Sequence, residues 1–201
     1  MLKLFYNLGY IINLWALNHR IMLKKILIGV GVVVAVLAIA FLYLNNRNRT
    51  LSPPGEASLS NAGLEVAVSY SRPSVRGRVI FGRSGSDALL PYGKYWRLGA
   101  NEPTRLTVGQ SFSIMGQNFE AGSYDLYAIP QEGKMDMRFN AEERVWGFTE
   151  PNAENEVAQF DLPVHDNIMT EQFTIETVAA SGGVDVVFSW EAAKWTLPIR
   201  K

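Results

Sequence analysis

The sequence predicts an all-β fold, an antiparallel β-sandwich or flattened barrel of about eight or nine strands, preceded by one N-terminal transmembrane helix. Three observations in its 201 residues carry this expectation. From Gly63 onward apolar side chains recur at every second position, the period of a half-buried strand. Glycine-bearing turn clusters break that alternation at short intervals. Near the N-terminus, Ile26–Leu44 runs for 19 residues without a charge.

Composition sets the outer limits. With 48% hydrophobic, 11% aromatic and 19% charged residues, the chain is that of a folded protein, long enough for one domain and an appendage. It has no cysteine, which excludes a disulfide framework, a thiolate metal site and a cysteine nucleophile. Two histidines, His19 and His165, are too few for a multi-histidine metal centre, and no motif calls for a cofactor. The zero net charge hides an asymmetry. Residues 1–49 hold six basic and no acidic side chains, leaving 13 basic and 19 acidic in 50–201, a formal −6. That sign argues against a nucleic-acid partner.

The first element is the apolar run. At about 1.5 Å per helical residue it spans roughly 28 Å, close to the hydrocarbon core of a bilayer. Ala38-Ile39-Ala40 has the small-x-small form of a signal-peptidase site. Apolar residues continue past it through Leu44, so residues 22–45 read as an uncleaved signal anchor, with the lipid bilayer as partner. Lys3, Arg20, Lys24 and Lys25 before the run slightly outweigh Arg47 and Arg49 after it, which directs the C-terminal domain out of the cytoplasm. Met22-Leu23-Lys24-Lys25 opens like a complete signal-type N-terminus, so residues 1–21 read as an extension ahead of the true start. An interfacial helix is the alternative. Residues 46–62 are polar, hold Pro53-Pro54-Gly55, and read as a linker without helical or strand periodicity.

Residues 63–201 read as the β-sandwich domain. Leu64, Val66, Val68 and Tyr70 alternate with Glu65, Ala67 and Ser69 in the first strand. Further strands follow at 105–108, 112–115, 123–130, 135–140, 157–163, 171–178, 184–190 and 195–199. Turns separate them at Met115-Gly116-Gln117, Glu120-Ala121-Gly122, Glu132-Gly133-Lys134 and Ser181-Gly182-Gly183, the last a strong hairpin signal. Short helical turns are expected at Ala141–Val145 and Ala153–Val157. His165, with no supporting serine motif, reads as a turn residue.

One segment breaks the alternation. Between Arg72 and Arg105 lie seven basic and two acidic residues, a local +5 within a domain of −6. Tyr92, Tyr95 and Trp96 sit among those charges, beside glycines that let the backbone turn sharply. The segment contains Tyr70-Ser-Arg-Pro73, then Gly77-Arg-Val-Ile-Phe-Gly82, then Pro91-Tyr-Gly-Lys-Tyr-Trp-Arg-Leu-Gly-Ala-Asn-Glu102. These three ordered blocks resemble the signature of a family of bacterial exported or membrane-anchored β-domains of unknown function. Ala121-Gly122, Tyr124, Trp146-Gly147 and the closing Trp190…Lys194 stretch extend the resemblance over roughly residues 63–199. The sequence departs from the pattern in its Gly/Ser-rich insert, Arg83–Ala88. The resemblance implies a secreted or membrane-anchored, mostly β domain in the periplasm or at the cell surface. It brings no established activity.

Candidate ligand-binding residues are Arg72, Arg78, Tyr92, Trp96, Arg97, Asn101 and Glu102. Arg97 would grip a carboxylate or phosphate, Trp96 would stack on a ring, and Asn101 and Glu102 would hydrogen-bond hydroxyls. Arg72 and Arg78 would form a basic rim. The competing structural reading pins a long loop to the sandwich by a buried Arg97–Glu102 pair and an indole plug. The preferred function is a membrane-tethered, non-enzymatic envelope module binding a small molecule, glycan or protein through the Trp96–Glu102 loop. The alternatives are an envelope carbohydrate hydrolase with Glu102 as acid, and a purely structural domain.

Overall fold

A computed structural model describes the backbone of residues 2–201 and the side chains of Arg20 and residues 22–201. The expectation about residues 1–21 as an extension lies outside the described side chains. Two compact units divide after Arg47. The first is most of α1 (Leu2–Leu51). Within it Met22–Leu51 is long and apolar enough to cross a membrane, and its apolar side chains are exposed on every face. A helix apolar all round and buried nowhere has the character of a membrane anchor or a signal sequence.

The second unit, Asn48–Lys201, carries the strands. They are β1 (Pro54–Asn61), β2 (Leu64–Ser71), β3 (Phe81–Gly82), β4 (Leu90–Pro91), β5 (Thr104–Val108), β6 (Phe112–Ile114), β7 (Gln117–Phe119), β8 (Gly122–Gln131), β9 (Lys134–Asn140), β10 (Glu156–Pro163), β11 (His165–Ala180) and β12 (Gly183–Arg200). A six-stranded antiparallel sheet, β1-β2-β5-β8-β9-β10, packs against a four-stranded antiparallel sheet, β11-β12-β6-β7. The architecture is therefore a sandwich and not a barrel. Its core lies between the sheets, where Leu64, Val66 and Val68 of β2, Leu106 of β5, Leu126 of β8 and Phe139 of β9 join Ile175, Val186, Phe188 and Leu197. The alternation in β2 is the reason for this. Its inward positions are all apolar and nearly solvent-free, while the outward Glu65, Ala67 and Ser69 are exposed.

Three expectations need correction. Residues 46–62 are not an unstructured linker, since α1 runs to Leu51 and Pro54–Asn61 pairs along its whole length with β2. The inward side of β1 is Gly55, Ala57, Leu59 and Asn61, so its period-two signal is written mostly in small residues and is faint. An edge strand needs only one packed face, and its proline stands at the first position, where no ladder donor is required. The expected strands 184–190 and 195–199 are both present: they form one continuous extended stretch, β12, which folds back on itself so that its two halves lie side by side. Lys201 N–H donates to Gly182 O at 2.9 Å, and Phe188 stacks on Trp195 at 5.4 Å. Glu191, at φ +53, stands between the halves.

Ala141–Val145 makes no helical turn. Its N–H groups go elsewhere: Ala141 to Asn155 O, Glu142 to Asn140 Oδ1 and Arg144 to the Asp125 carboxylate. His165 is not in a turn but opens β11, opposite Lys194. The other expected turn survives as a short 3₁₀ helix, Ala153–Asn155, capped by Asn152.

Candidate functional site

β2 and β5 are hydrogen-bonded neighbours, yet residues 72–103 separate them in the chain. So long a detour between adjacent strands has to be held down at several points. Its first part clips to β11: Val75 N–H donates to Glu171 O and Phe173 N–H to Pro73 O, both at 2.8 Å. Its middle closes on itself through the short parallel pair β3–β4, with Leu90 N–H donating to Ile80 O at 2.8 Å. The Arg83–Ala88 insert is the exposed tip of that clip. The last part bridges to β8, where Trp96 and Ala128 exchange backbone bonds of 2.8 and 2.9 Å.

Trp96 is 3% exposed and stacks on Trp190 at 5.6 Å, with Phe81, Phe173 and Trp195 around its edges. It is the indole plug of the structural reading, not an open platform for a ligand ring. After it the chain turns sharply. Leu98 (φ +55), Gly99 (φ +143) and Asn101 (φ +56) all have left-handed backbone, which a leucine adopts only where surrounding contacts hold it. Leu98 is solvent-free, and Thr104 Oγ1 donates to its carbonyl at 2.5 Å.

That turn sends the expected partners apart. Arg97 and Glu102 form no pair; Glu102 pairs with Arg49 instead, both partly exposed. Glu102 lines a separate shallow depression with Glu143, which is bound to Arg105 at 2.6 Å. Arg97 lines a cleft of about 580 Å³ together with Arg76, Arg78, Tyr95, Trp146 and Phe148. Asn101 borders this cleft as a pin: its Nδ2 donates to Ser52 O at 3.2 Å and its carbonyl accepts from Gly147 N–H at 3.1 Å. Arg78 borders it too, tied to Val75 O (2.9 Å) and Ser74 O (2.7 Å). Arg72 and Tyr92 lie outside it. Arg72 runs over Gly55 of β1 toward Thr174, and the Tyr92 N–H donates to Gly82 O. Of the seven expected residues, Trp96, Arg97, Asn101 and Arg78 thus meet at the cleft, with only Arg97 and Arg78 suited to a ligand.

Trp146 and Phe148 are the residues that sequence reasoning did not assign to a site. They reach the cleft because a buried ionic network anchors their loop to the outer face of the six-stranded sheet. The Asp125 side chain is solvent-free and accepts from Arg105 Nε at 2.9 Å and from Arg144 N–H at 3.1 Å, with Arg144 Nε at 3.5 Å. Arg144 in turn donates to Thr149 O at 2.7 Å. Tyr95 O–H closes the arrangement by donating to Gly147 O at 3.0 Å.

The cleft's electrostatics are one-sided. Among the described residues three arginines line it and no aspartate or glutamate does; the Glu171 carboxylate, outside the lining, accepts from the Arg76 main-chain N–H at 2.9 Å. Arg97 lies 5.6 Å over the Phe148 ring, and among the described residues it has no ion pair. Burial draws its guanidinium below the ordinary arginine range, opposed by Tyr95 and reinforced by Arg144. It remains a cation at neutral pH, partly stripped of water and facing open space. Burial likewise raises the Tyr95 phenol, which stays a neutral donor. Among the described residues no three His, Asp or Glu side chains gather as a metal site would require.

A family profile described as "Protein of unknown function (DUF2911)" matches residues 52–199. The match begins at the residue before Pro53 and so takes in β1, eleven residues earlier than the resemblance in sequence extended. Comparison with curated proteins and with solved structures finds no match.

Proposed function

The chain belongs to the DUF2911 family, and from that premise we propose that it is a membrane-anchored, non-enzymatic binding module whose cleft takes an anion with an apolar or ring-bearing part. The observation that carries this reading is Arg97, a half-buried guanidinium without a carboxylate partner, lining a cleft with two further arginines and no acid. A carboxylate or phosphate gains charge-assisted hydrogen bonds there, and part of the desolvation of Arg97 has already been met by folding. Trp146 (43% exposed) and Phe148 (71% exposed) offer apolar surface beside that charge. The helix supplies the anchor, crossing once, with the β domain outside the cytoplasm in the periplasm or at the cell surface. The carbohydrate-hydrolase reading lacks comparable support, because Glu102 is engaged by Arg49 away from the cleft.

The test is titration of the full chain, in a neutral polyoxyethylene detergent, with phenyl phosphate, benzoate and a neutral disaccharide, followed by tryptophan fluorescence. The two anions should saturate and the disaccharide should not. Arg97→Gln should weaken anion binding at least fivefold. Equal binding of the disaccharide, or no saturation by either anion, would end the proposal.

A further inference from the structure

We infer that the anion bound in the cleft is the headgroup of an anionic phospholipid in the bilayer that the helix enters. The inference rests on the binding reading above and narrows its ligand. Charge is the first argument. Arg76, Arg78 and Arg97 line the cleft. Arg76 and Arg78 also donate to backbone carbonyls of Leu51, Val75 and Ser74, and the Glu171 carboxylate accepts from the Arg76 main-chain N–H. Arg97 has no ion pair among the described residues, and the set of cations suits a phosphodiester. The domain as a whole is acidic, at −6 over residues 50–201, so its average charge does not draw it to an anionic surface. Over a Debye length of about 8–10 Å, only the charges close to a bound headgroup count, and those lining the cleft are arginines.

The rim is the second argument. Leu89 (42%), Trp146 (43%) and Phe148 (71%) are exposed around the same opening, and the exposed Val79 (54%) is joined to Leu89 by the Leu89 N–H bond to its carbonyl at 3.0 Å. A site for a fully soluble anion has no need of so much uncovered apolar surface. At the boundary of headgroups and acyl chains that surface leaves water, and tryptophan favours this zone.

The third argument is the tether. Asn48 and Leu51 belong to the cleft lining, and Asn48 comes four residues after Leu44, the last residue of the apolar run. At most about 3.6 Å per residue, the chain cannot part them by more than roughly 14 Å. A headgroup presented at so short a tether is at an effective concentration of order millimolar, so a weak site suffices for occupancy.

The experiment uses the full chain in neutral polyoxyethylene detergent, titrated with dihexanoyl phosphatidylglycerol, dihexanoyl phosphatidylcholine, inorganic phosphate and phenyl phosphate. The phosphatidylglycerol should bind at least tenfold tighter than either the phosphatidylcholine or inorganic phosphate. Arg97→Gln should weaken it fivefold or more, while Arg83→Gln, on the exposed insert, should leave it unchanged. Phe148→Ser alters an exposed side chain and so preserves the fold; it should weaken the lipid and spare inorganic phosphate. If phenyl phosphate saturates but phosphatidylglycerol binds no tighter than inorganic phosphate, the lipid assignment is overturned and the binding reading survives. If phosphatidylcholine binds as well as phosphatidylglycerol, charge is not being read and the assignment is likewise overturned. If no probe saturates, both fall.

Discussion

Replacing Asp125 by alanine should cost the domain more stability than any exposed charge change, and should also dismantle the cleft. The Asp125 carboxylate is solvent-free, and the Arg144 side chain that it faces is only 9% exposed. Arg144 Nε and Nη2 are buried without a hydrogen bond, so Asp125 is their nearby countercharge. Deleting one member of such a pair leaves a buried, uncompensated charge, at a cost of about 3–5 kcal/mol. For a domain of this size each kcal/mol lowers the melting temperature by about 2–4 °C, so the expected fall is roughly 6–20 °C. The assay is thermal and urea unfolding of the full chain in neutral detergent, followed by circular dichroism of the strands. Asp125→Asn keeps the shape and one acceptor and should cost clearly less. Adding Arg144→Met to Asp125→Ala should recover part of the loss, because the stranded cation is gone. Since the same network seats Trp146 and Phe148, anion binding should fall in Asp125→Ala even at temperatures where the sandwich is intact. A loss under about 1 kcal/mol, with the double variant no better than the single, would refute the reasoning, since it would mean that water already reaches Arg144.

Three further outcomes follow from the same structure. Glu102→Gln should change stability by no more than about 1 kcal/mol, because its pair with Arg49 is partly exposed; a urea midpoint shift equivalent to 3 kcal/mol would restore the buried-pin reading. Gly183→Ala should cost at least roughly 1–3 kcal/mol, because a Cβ there would meet the backbone carbonyl of Ile199 and lie 2.9 Å from Arg200 Cα, and paired strands have little room to part; unchanged melting would show that β12's two halves are not held so closely. Stability should fall as pH rises above about 10, because unfolded tyrosines then ionise while burial keeps Tyr95 and Tyr127 protonated, Glu156 adding to the effect at Tyr127. The folded state then binds more protons than the unfolded one, so stability falls by up to about 1.4 kcal/mol per pH unit for the solvent-shielded Tyr127, and by less for Tyr95, which solvent partly screens. Tyr127→Phe should flatten that slope in urea titrations between pH 9 and 11, and an identical slope would count against its burial.

How much of this was legible in the sequence depended on the range of the signal. β2, β8, β9 and β10 were readable because each writes its inward face in apolar residues, most of them large, at every second position, a pattern contained within eight or ten neighbours. β1 was not readable, because Gly55, Ala57 and Asn61 fill its inward positions and their packing depends on strands that lie elsewhere in the chain. Arg97 and Glu102 look like partners at a separation of five residues, but three left-handed residues between them direct one to the cleft and the other to Arg49. Trp96 carried the right weight and the wrong direction: an indole amid arginines suits a ligand platform or a core plug equally until its neighbours Trp190 and Phe173 are seen.

The sequence by itself determined the apolar helix, the β character of residues 63–201, the glycine-bearing turns between strands and the concentration of positive charge between Arg72 and Arg105. These are properties of composition and short-range periodicity, and the hydrophobic effect enforces them locally. Only the tertiary structure decided which charges are paired and which are free. Arg105 and Arg144 are drawn to Asp125 across the sheet, Arg49 takes Glu102, and Arg97 is left beside Phe148, a residue 51 positions away in the chain. A charged side chain finds its partner through the path of the whole backbone, and no local pattern encodes that path.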